Sequence, residues 1–438
     1  MRYTLTRRSL LGAAGTAALL PVASLQSAFA QAQTKVTFSG WAFEPQIVED
    51  NVKLFNADNP DLDVIYTPLD LMLYNEKMVS LFSANSQPDV FYVRDSNFGA
   101  WVEAGWLRPI DGMPGLDELN KSMFPFNREA MFYKGKQYGL PYYGDPYIYM
   151  FDRTMLQKAG VEKPPVTLDQ LKEASLAIKS AKLASYPILN GYKTNPNGLS
   201  EFWSLVFASG GRLFDDELNP VYADKDLTAL GVLEWLVEAM HTWQILDPKG
   251  LELDETQARE TYLSGQGAFS TNTALVLYRA NNPALSKRAG NIDITRYPGL
   301  KDVNGGPMGW TRLYGMNTTT KVPDAAWRLM SYLGGKNKKG EYFTSKLWYL
   351  KHGIGYPYRE LNDDADIQAA QRKGGYALEV LAQQLGAARA RENIHAPWYA
   401  EWDRHLQQQI QRALLRQAPP RQALEASAQE ARKLKKQG

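Results

Sequence analysis

The sequence predicts an α/β fold spread over two domains of ordinary size. Three observations predict it. The chain opens on an alternation of strand and helix patterns, a stretch rich in glycine, proline and tyrosine interrupts it near residue 140, and a second series of strand and helix patterns follows.

The opening reads as a strand over Val36 to Trp41, then a helix over Pro45 to Asn56 with Val48, Val52 and Phe55 on one face. Asn59-Pro60 is a turn, Leu62 to Tyr66 a strand, and Tyr74 to Ser83 a helix. Pro88 to Val93 is a short apolar run of the kind found in buried parallel strands. In open α/β sheets ligands sit beyond the carboxyl ends of the strands, which directs attention to Gly40 to Glu44 and to Arg94 to Asn97. Tyr138 to Pro146 reads as a crossing between lobes, and Tyr147 to Phe151 as the strand it feeds. Thr167 and Gln170 form a capping-box pattern before a helix over Leu168 to Lys179. Gly267 to Ser270 is strand-like, and a helix over Asp324 to Leu333 follows Pro323 and stops at Gly334-Gly335. From Tyr376 onward the pattern is almost wholly helical, and the basic end, Arg432 to Gly438, reads as a frayed, solvated tail.

Residues 1–30 read as an export signal. Arg7 and Arg8 precede a short run of Leu, Ala and Gly, and Ala28-Phe29-Ala30 is a small-x-small cleavage site. The paired arginines suggest the twin-arginine route. The apolar run is too short for a membrane span, and no later stretch is long enough. The signal holds three arginines and no acid, so the remaining chain of about 408 residues has 46 basic against 47 acidic residues. Nothing in that balance points to nucleic acid or an anionic membrane. The absence of cysteine excludes disulfides, thiolate metal sites, a cysteine nucleophile and a lipid-modified cysteine after the signal. A freely soluble protein of the periplasm is expected. The 11 Trp and 24 Tyr suit core packing, and also sugar binding, where a flat ring stacks on a pyranose face.

The search for catalytic motifs is negative. There is no GxSxG elbow, HExxH pair or P-loop, and Gly305-Gly306-Pro307-Met308-Gly309-Trp310 is only superficially like a phosphate loop. His241, His352, His395 and His405 are poorly spaced for one metal, and no carboxylate pair is diagnostic of glycoside hydrolysis. Neither an enzyme nor a cofactor or metal is expected.

Several motifs carry a resemblance. Gln87-Pro88-Asp89-Val90 is followed by Ala104 to Ile110, Tyr138-Gly139-Leu140-Pro141 by Tyr149 to Asp152, and Pro165 to Leu171 by Gly267-Ala268-Phe269 and Asp324 to Leu333. In order and spacing they resemble the extracellular solute-binding proteins of ABC importers, in the subgroup of maltose-binding-protein-like sugar receptors, from Val36 to about Lys433. The resemblance implies a two-lobed periplasmic binding protein fold (type II) with a ligand cleft between lobes joined by hinge crossings. Lobe one becomes residues 31–145 plus 296–336, and lobe two residues 146–295 plus 337–438. It also implies a monomeric receptor that closes on a small-molecule sugar and docks on the permease subunits of the inner membrane, with no nucleic acid partner and no membrane insertion.

Candidate ligand contacts follow from residue type and matching position. Trp41 and Glu44 follow the first strand, and Arg94, Asp95, Ser96 and Asn97 the third, where relatives hold charged sugar ligands. Asp145 matches the crossing acid of maltose-binding relatives, with Tyr143 beside it. Glu201 and Trp203 lie in a stretch that reaches the pocket in relatives, Asn272 follows a strand, and Trp310 and Arg312 lie on the return strand of lobe one. Tyr356 follows Gly353-Ile354-Gly355, and one of Trp398 and Trp402 is expected to reach the cleft. A neutral mono- to oligosaccharide is the favoured ligand. Arg94 and Arg312 keep an acidic, phosphorylated or sulfonated sugar open, since guanidinium pairs with anions in a two-pronged way, and they weigh against the remaining alternative of a polyamine or other small solute.

Overall fold

A computed structural model describes residues 33–195, 198–303 and 305–437. The expected export signal lies outside the described residues. The strands in chain order are β1 (Thr34–Trp41), β2 (Leu62–Leu69), β3 (Val90–Arg94), β4 (Phe132–Tyr133), β5 (Lys136–Gln137), β6 (Gly139–Asp152), β7 (Phe269–Thr273), β8 (Ile292–Thr295) and β9 (Gly309–Met316). The main sheet has the order β2-β1-β3-β9-β6-β7, with β8 also on β6. β1 is parallel to β2 and β3, as the opening alternation predicts, whereas β9 joins β3 and β6 antiparallel.

β6 organises the molecule. The sequence predicts a crossing and then a separate strand, but the structure has one strand of 14 residues, about 45 Å long. Gly139 to Pro146 pairs with β9, and Tyr147 to Asp152 pairs with β7 and β8. Its prolines do not break it, because the register with β9 shifts between Pro141 and Tyr143, and Pro146 sits where the pairing partner changes. The Tyr, Ile, Met and Phe around them favour extended backbone.

Two hydrophobic clusters lie to either side of this strand. One holds Phe38, Tyr92, Tyr142 and Tyr314, with the Tyr92 and Tyr142 rings stacked at 4.5 Å. The other is built around Trp203, Phe214, Tyr222 and Trp402. The helix Phe343–His352 lies against the first, its Trp348 packed on Phe43 and Tyr142. Two further segments run side by side near the β6 crossing: Met308 bridges Arg389, and the Gly309 amide donates to the Arg389 carbonyl at 2.9 Å. Gly306 is needed there, since a Cβ would stand 1.8 Å from the Ala387 carbonyl oxygen.

Helices Pro45–Asp58 and Tyr74–Ser83 form where the periodicity puts them. Arg94 ends β3, and Asp95–Glu103 is a helix, favoured by the acid in its first turn. Two local expectations are corrected. Thr167 caps Leu168–Ser180 through the Gln170 amide, but the Gln170 side chain accepts from Val166 rather than Thr167, so the reciprocal box is incomplete. The basic end is not frayed through Gln437. Helix Pro420–Gln437 buries Ala431 and Leu434, while Arg432 pairs with Asp224 at 2.9 Å and Lys435 donates to the Glu217 carbonyl at 2.6 Å. No helix among the described residues is long and apolar enough to cross a membrane.

Candidate functional site

A cavity of about 280 Å³ opens where β6 passes from one cluster to the other. Trp41 at the end of β1, Tyr143 and Asp145 on β6, and Trp310 and Arg312 on β9 form one wall. Glu255, Thr256 and Arg259, from helix Glu255–Leu263, face them with Thr273 and Leu275. Phe43, Leu71, Tyr142, Tyr147 and Ile354 complete the lining.

Ring packing and ion pairs hold the β-strand wall in place. Trp41 is wedged against Tyr74, Tyr92 and Tyr142 at centroid distances of 5.3, 4.6 and 5.9 Å, which holds its indole in place. Trp310 has the guanidiniums of Arg312 and Arg391 over its ring at 4.9 and 4.8 Å. Arg312 donates through Nη1 to Asp95 Oδ1 at 2.6 Å, and Asp95 also accepts from the Thr311 and Ser96 amides at 3.0 and 2.9 Å. Arg94 is directly opposite Arg312 across the β3–β9 pair and lies over Trp41 at 5.7 Å.

Asp145 is buried and accepts from the Ala274 amide at 3.1 Å. Burial pushes its carboxyl up to about 7, against the pull of nearby amide and hydroxyl donors. Glu255 accepts from the Tyr147 hydroxyl at 3.0 Å, and burial raises its pKa as well. The cavity thus offers flat aromatic faces, two carboxyls and guanidinium donors at converging positions, an arrangement suited to a ligand that is apolar on its faces and polar at its edges.

Five of the sequence-predicted residues come together here: Trp41, Tyr143, Asp145, Trp310 and Arg312. Asp95 stands behind Arg312, and Arg94 lies against Trp41 and Leu71. Glu201 lines a smaller adjoining pocket of about 20 Å³, room for about one water, where Asn190 and Tyr192 donate to it and burial pushes its carboxyl up to about 7.

The others are placed elsewhere. Glu44 is exposed beside the mouth in a left-handed conformation (φ 46°), while its neighbour Phe43 lines the cavity. Ser96 contributes an amide to Asp95, and Asn97 accepts from Asn75 at 3.1 Å. Asn272 donates to Ser270 at 2.9 Å, and Thr273, one residue on and facing the other way, takes the cavity position. Tyr356 is buried, its hydroxyl donating to Asn362 at 2.8 Å, and Ile354 reaches the cavity instead. Trp203 and Trp402 are fully buried in the second cluster, and Trp398 packs beside them on Phe214. Neither Trp398 nor Trp402 lines the cavity, because helix Tyr399–Leu414 turns its apolar face to helix Thr228–His241 and the rest of that cluster.

Glu255 and Arg259 were not foreseen. A signal was available, since Asp254 and Gln257 form a complete capping box that marks a helix start and sets Glu255 and Arg259 four apart on one face. Tyr147 was foreseen as a strand residue only.

An α/β chain folded about one shared strand, with a small cavity walled from both sides, defines a two-lobed solute-binding protein. The family model of the bacterial extracellular solute-binding proteins matches residues 41–338, and this chain belongs to that family. That family is one of solute-binding proteins. The chain is 25% identical over 295 residues to the maltotriose-binding protein of Pyrococcus abyssi, covering 66% of this chain and 59% of that protein. It is 25% identical over 174 residues to the mannitol-binding protein of Pseudomonas aeruginosa, covering 39% of this chain and 40% of that protein. These matches therefore span less than two thirds of the relatives' own length. The structure of the sugar-binding protein MalE from Xanthomonas citri superposes with a TM-score of 0.77 at 18% identity, covering 92% of this chain and 97% of that one. That likeness establishes the two-lobed fold.

Proposed function

We propose that this chain is the exported receptor of an ABC importer, which takes a sugar or sugar alcohol into the cavity beside β6 and delivers it to permease subunits in the inner membrane. The observation that carries the reading is the meeting of Trp41, Trp310, Tyr143 and Asp145 in one cavity, ring faces for a carbon skeleton beside edge groups for hydroxyls. The relatives, a maltotriose-binding and a mannitol-binding protein, support the same ligand class. At about 280 Å³ the space suits a ligand of one or two rings better than a long oligosaccharide.

In this reading residues 1–30 direct export to the periplasm by the twin-arginine route, and the mature protein works as a monomer. Lobe one comprises residues 31–145 and 296–336 and lobe two residues 146–295 and 337–438, with helix Phe343–His352 on the seam between them. Ligand bridges the two walls and favours the closed state, because it binds that state more tightly.

The test is a thermal-shift and calorimetric screen of the mature protein against neutral mono- and disaccharides, sugar alcohols and sugar acids, with small-angle scattering to follow closure. A ligand at 100 times its Kd is expected to stabilise the fold by about 2.7 kcal/mol and to reduce the radius of gyration. The reading fails if no member of these three groups binds at millimolar concentration.

A further inference from the structure

The β3–β9 pairing sets two arginines directly opposite one another. Arg94 and Arg312 are cross-strand partners, a position in which side chains are neighbours and like charges destabilise a sheet. One carboxylate, Asp95, serves the pair. It bonds Arg312 at 2.6 Å, and among the described residues no carboxylate lies within 4 Å of the Arg94 guanidinium. Arg94 has a single weak hydrogen bond, from Nη2 to the Leu71 carbonyl at 3.4 Å. Arg312 commits only Nη1, to Asp95 and to the Thr311 carbonyl, and among the described residues its Nε and Nη2 have no partner. Arg312 lines the cavity and is 8% exposed, while Arg94 is half-buried against Trp41 and Leu71, both of which line it.

We propose that the ligand carries one anionic group, a carboxylate, phosphate or sulfonate on the sugar skeleton, taken at this wall by the free edges of Arg94 and Arg312. Guanidinium edges match the paired oxygens of such groups. A like-charge pair left short of counterions in a half-buried place is relieved by an anion that arrives with the ligand. Arg259 on the facing helix adds a third guanidinium, and burial draws Asp145 and Glu255, the carboxyls that line the cavity, towards their neutral forms. The inference rests on the sugar-receptor reading and narrows its ligand class.

The probes are matched pairs: D-glucose against D-glucuronate, glucose 6-phosphate and glucose 6-sulfate, with mannitol as a neutral open-chain control. At least one anionic probe is expected to bind ten-fold or more tightly than glucose and mannitol. Arg94→Gln is expected to abolish that preference while leaving the melting temperature of the ligand-free protein unchanged or higher, because it removes a like-charge neighbour. A purely structural role for Arg94 lowers that melting temperature instead and leaves the preference intact. Glucose or mannitol binding as tightly as every anionic probe overturns the inference and leaves the sugar receptor standing. Binding of none of these probes while a neutral sugar or sugar alcohol of the wider screen binds also overturns the inference alone; when nothing in that screen binds, the receptor reading falls with it.

Discussion

The wall of the cavity formed by β3 and β9 and the wall formed by helix Glu255–Leu263 each bring an arginine and a carboxyl together, but only one makes an ion pair of them. On the first, the β3–β9 register pairs Arg94 with Arg312 and so brings Asp95, the next residue and the start of the following helix, against Arg312; its oxygens also receive two backbone amides. On the second, Glu255 and Arg259 share a helix face, yet Glu255 is bonded by the Tyr147 hydroxyl and its pKa is raised by burial. A sheet imposes the neighbours of a side chain at fixed distance, whereas residues four apart on a helix can turn away to other partners.

The largest expected effect separates the walls directly. Asp95→Ala leaves two opposed arginines without a counterion and is expected to cost about 3–5 kcal/mol, read from the urea midpoint. Glu255→Gln keeps an acceptor for Tyr147 and removes a buried ionisable group, so its expected cost is below about 1 kcal/mol. Equal losses at the two positions would erase the distinction.

Tryptophans sharpen it next. Trp203→Ala in the second cluster is expected to lower stability by about 3–5 kcal/mol. Trp310→Ala is expected to weaken ligand binding ten- to a hundred-fold, about 1.4–2.8 kcal/mol by calorimetry. If Trp203→Ala leaves stability intact, or Trp310→Ala leaves affinity intact, the division between packing and binding tryptophans is wrong.

A smaller effect concerns Asp145, which lies between the walls. Its folded pKa, near 7, is above the ordinary aspartate value of 3.8, so the native state binds the extra proton between those limits. Stability from this group is therefore fully present below about pH 4 and lost as pH rises through 7. Denaturation from pH 4.5 to 8 should show the decline, and Asp145→Asn should flatten it in part, since Glu201 and Glu392 are also pushed up to about 7. The smallest change is expected at the surface. Arg432→Ala breaks an exposed pair with Asp224 and should shift stability by less than about 1 kcal/mol, against which the buried Asp95–Arg312 pair can be scaled.

Much of the site was legible because its residues sit at punctuation in the sequence. Trp41 ends a strand pattern, Asp145 lies in the Gly–Pro–Tyr stretch, and Trp310 and Arg312 follow a double glycine. Glu255 and Arg259 were not, because a short polar helix carries a weak apolar stripe. Trp398 and Trp402 misled for a complementary reason: a tryptophan near a helix start has the same appearance in sequence whether it faces a cleft or Phe214.

The sequence by itself determined the local elements, among them the opening strands and helices, the caps at Thr167 and Asp254, and the aromatic content. These depend on contacts within a few residues along the chain, where spacing and side-chain type suffice. Tertiary structure alone decided that β6 runs unbroken through both clusters, that Thr273 rather than Asn272 faces the cavity, and that Asp95 meets Arg312 from 217 residues away. Those outcomes depend on register and pairing between distant segments, which are set by how whole sheets and helices bury their faces together.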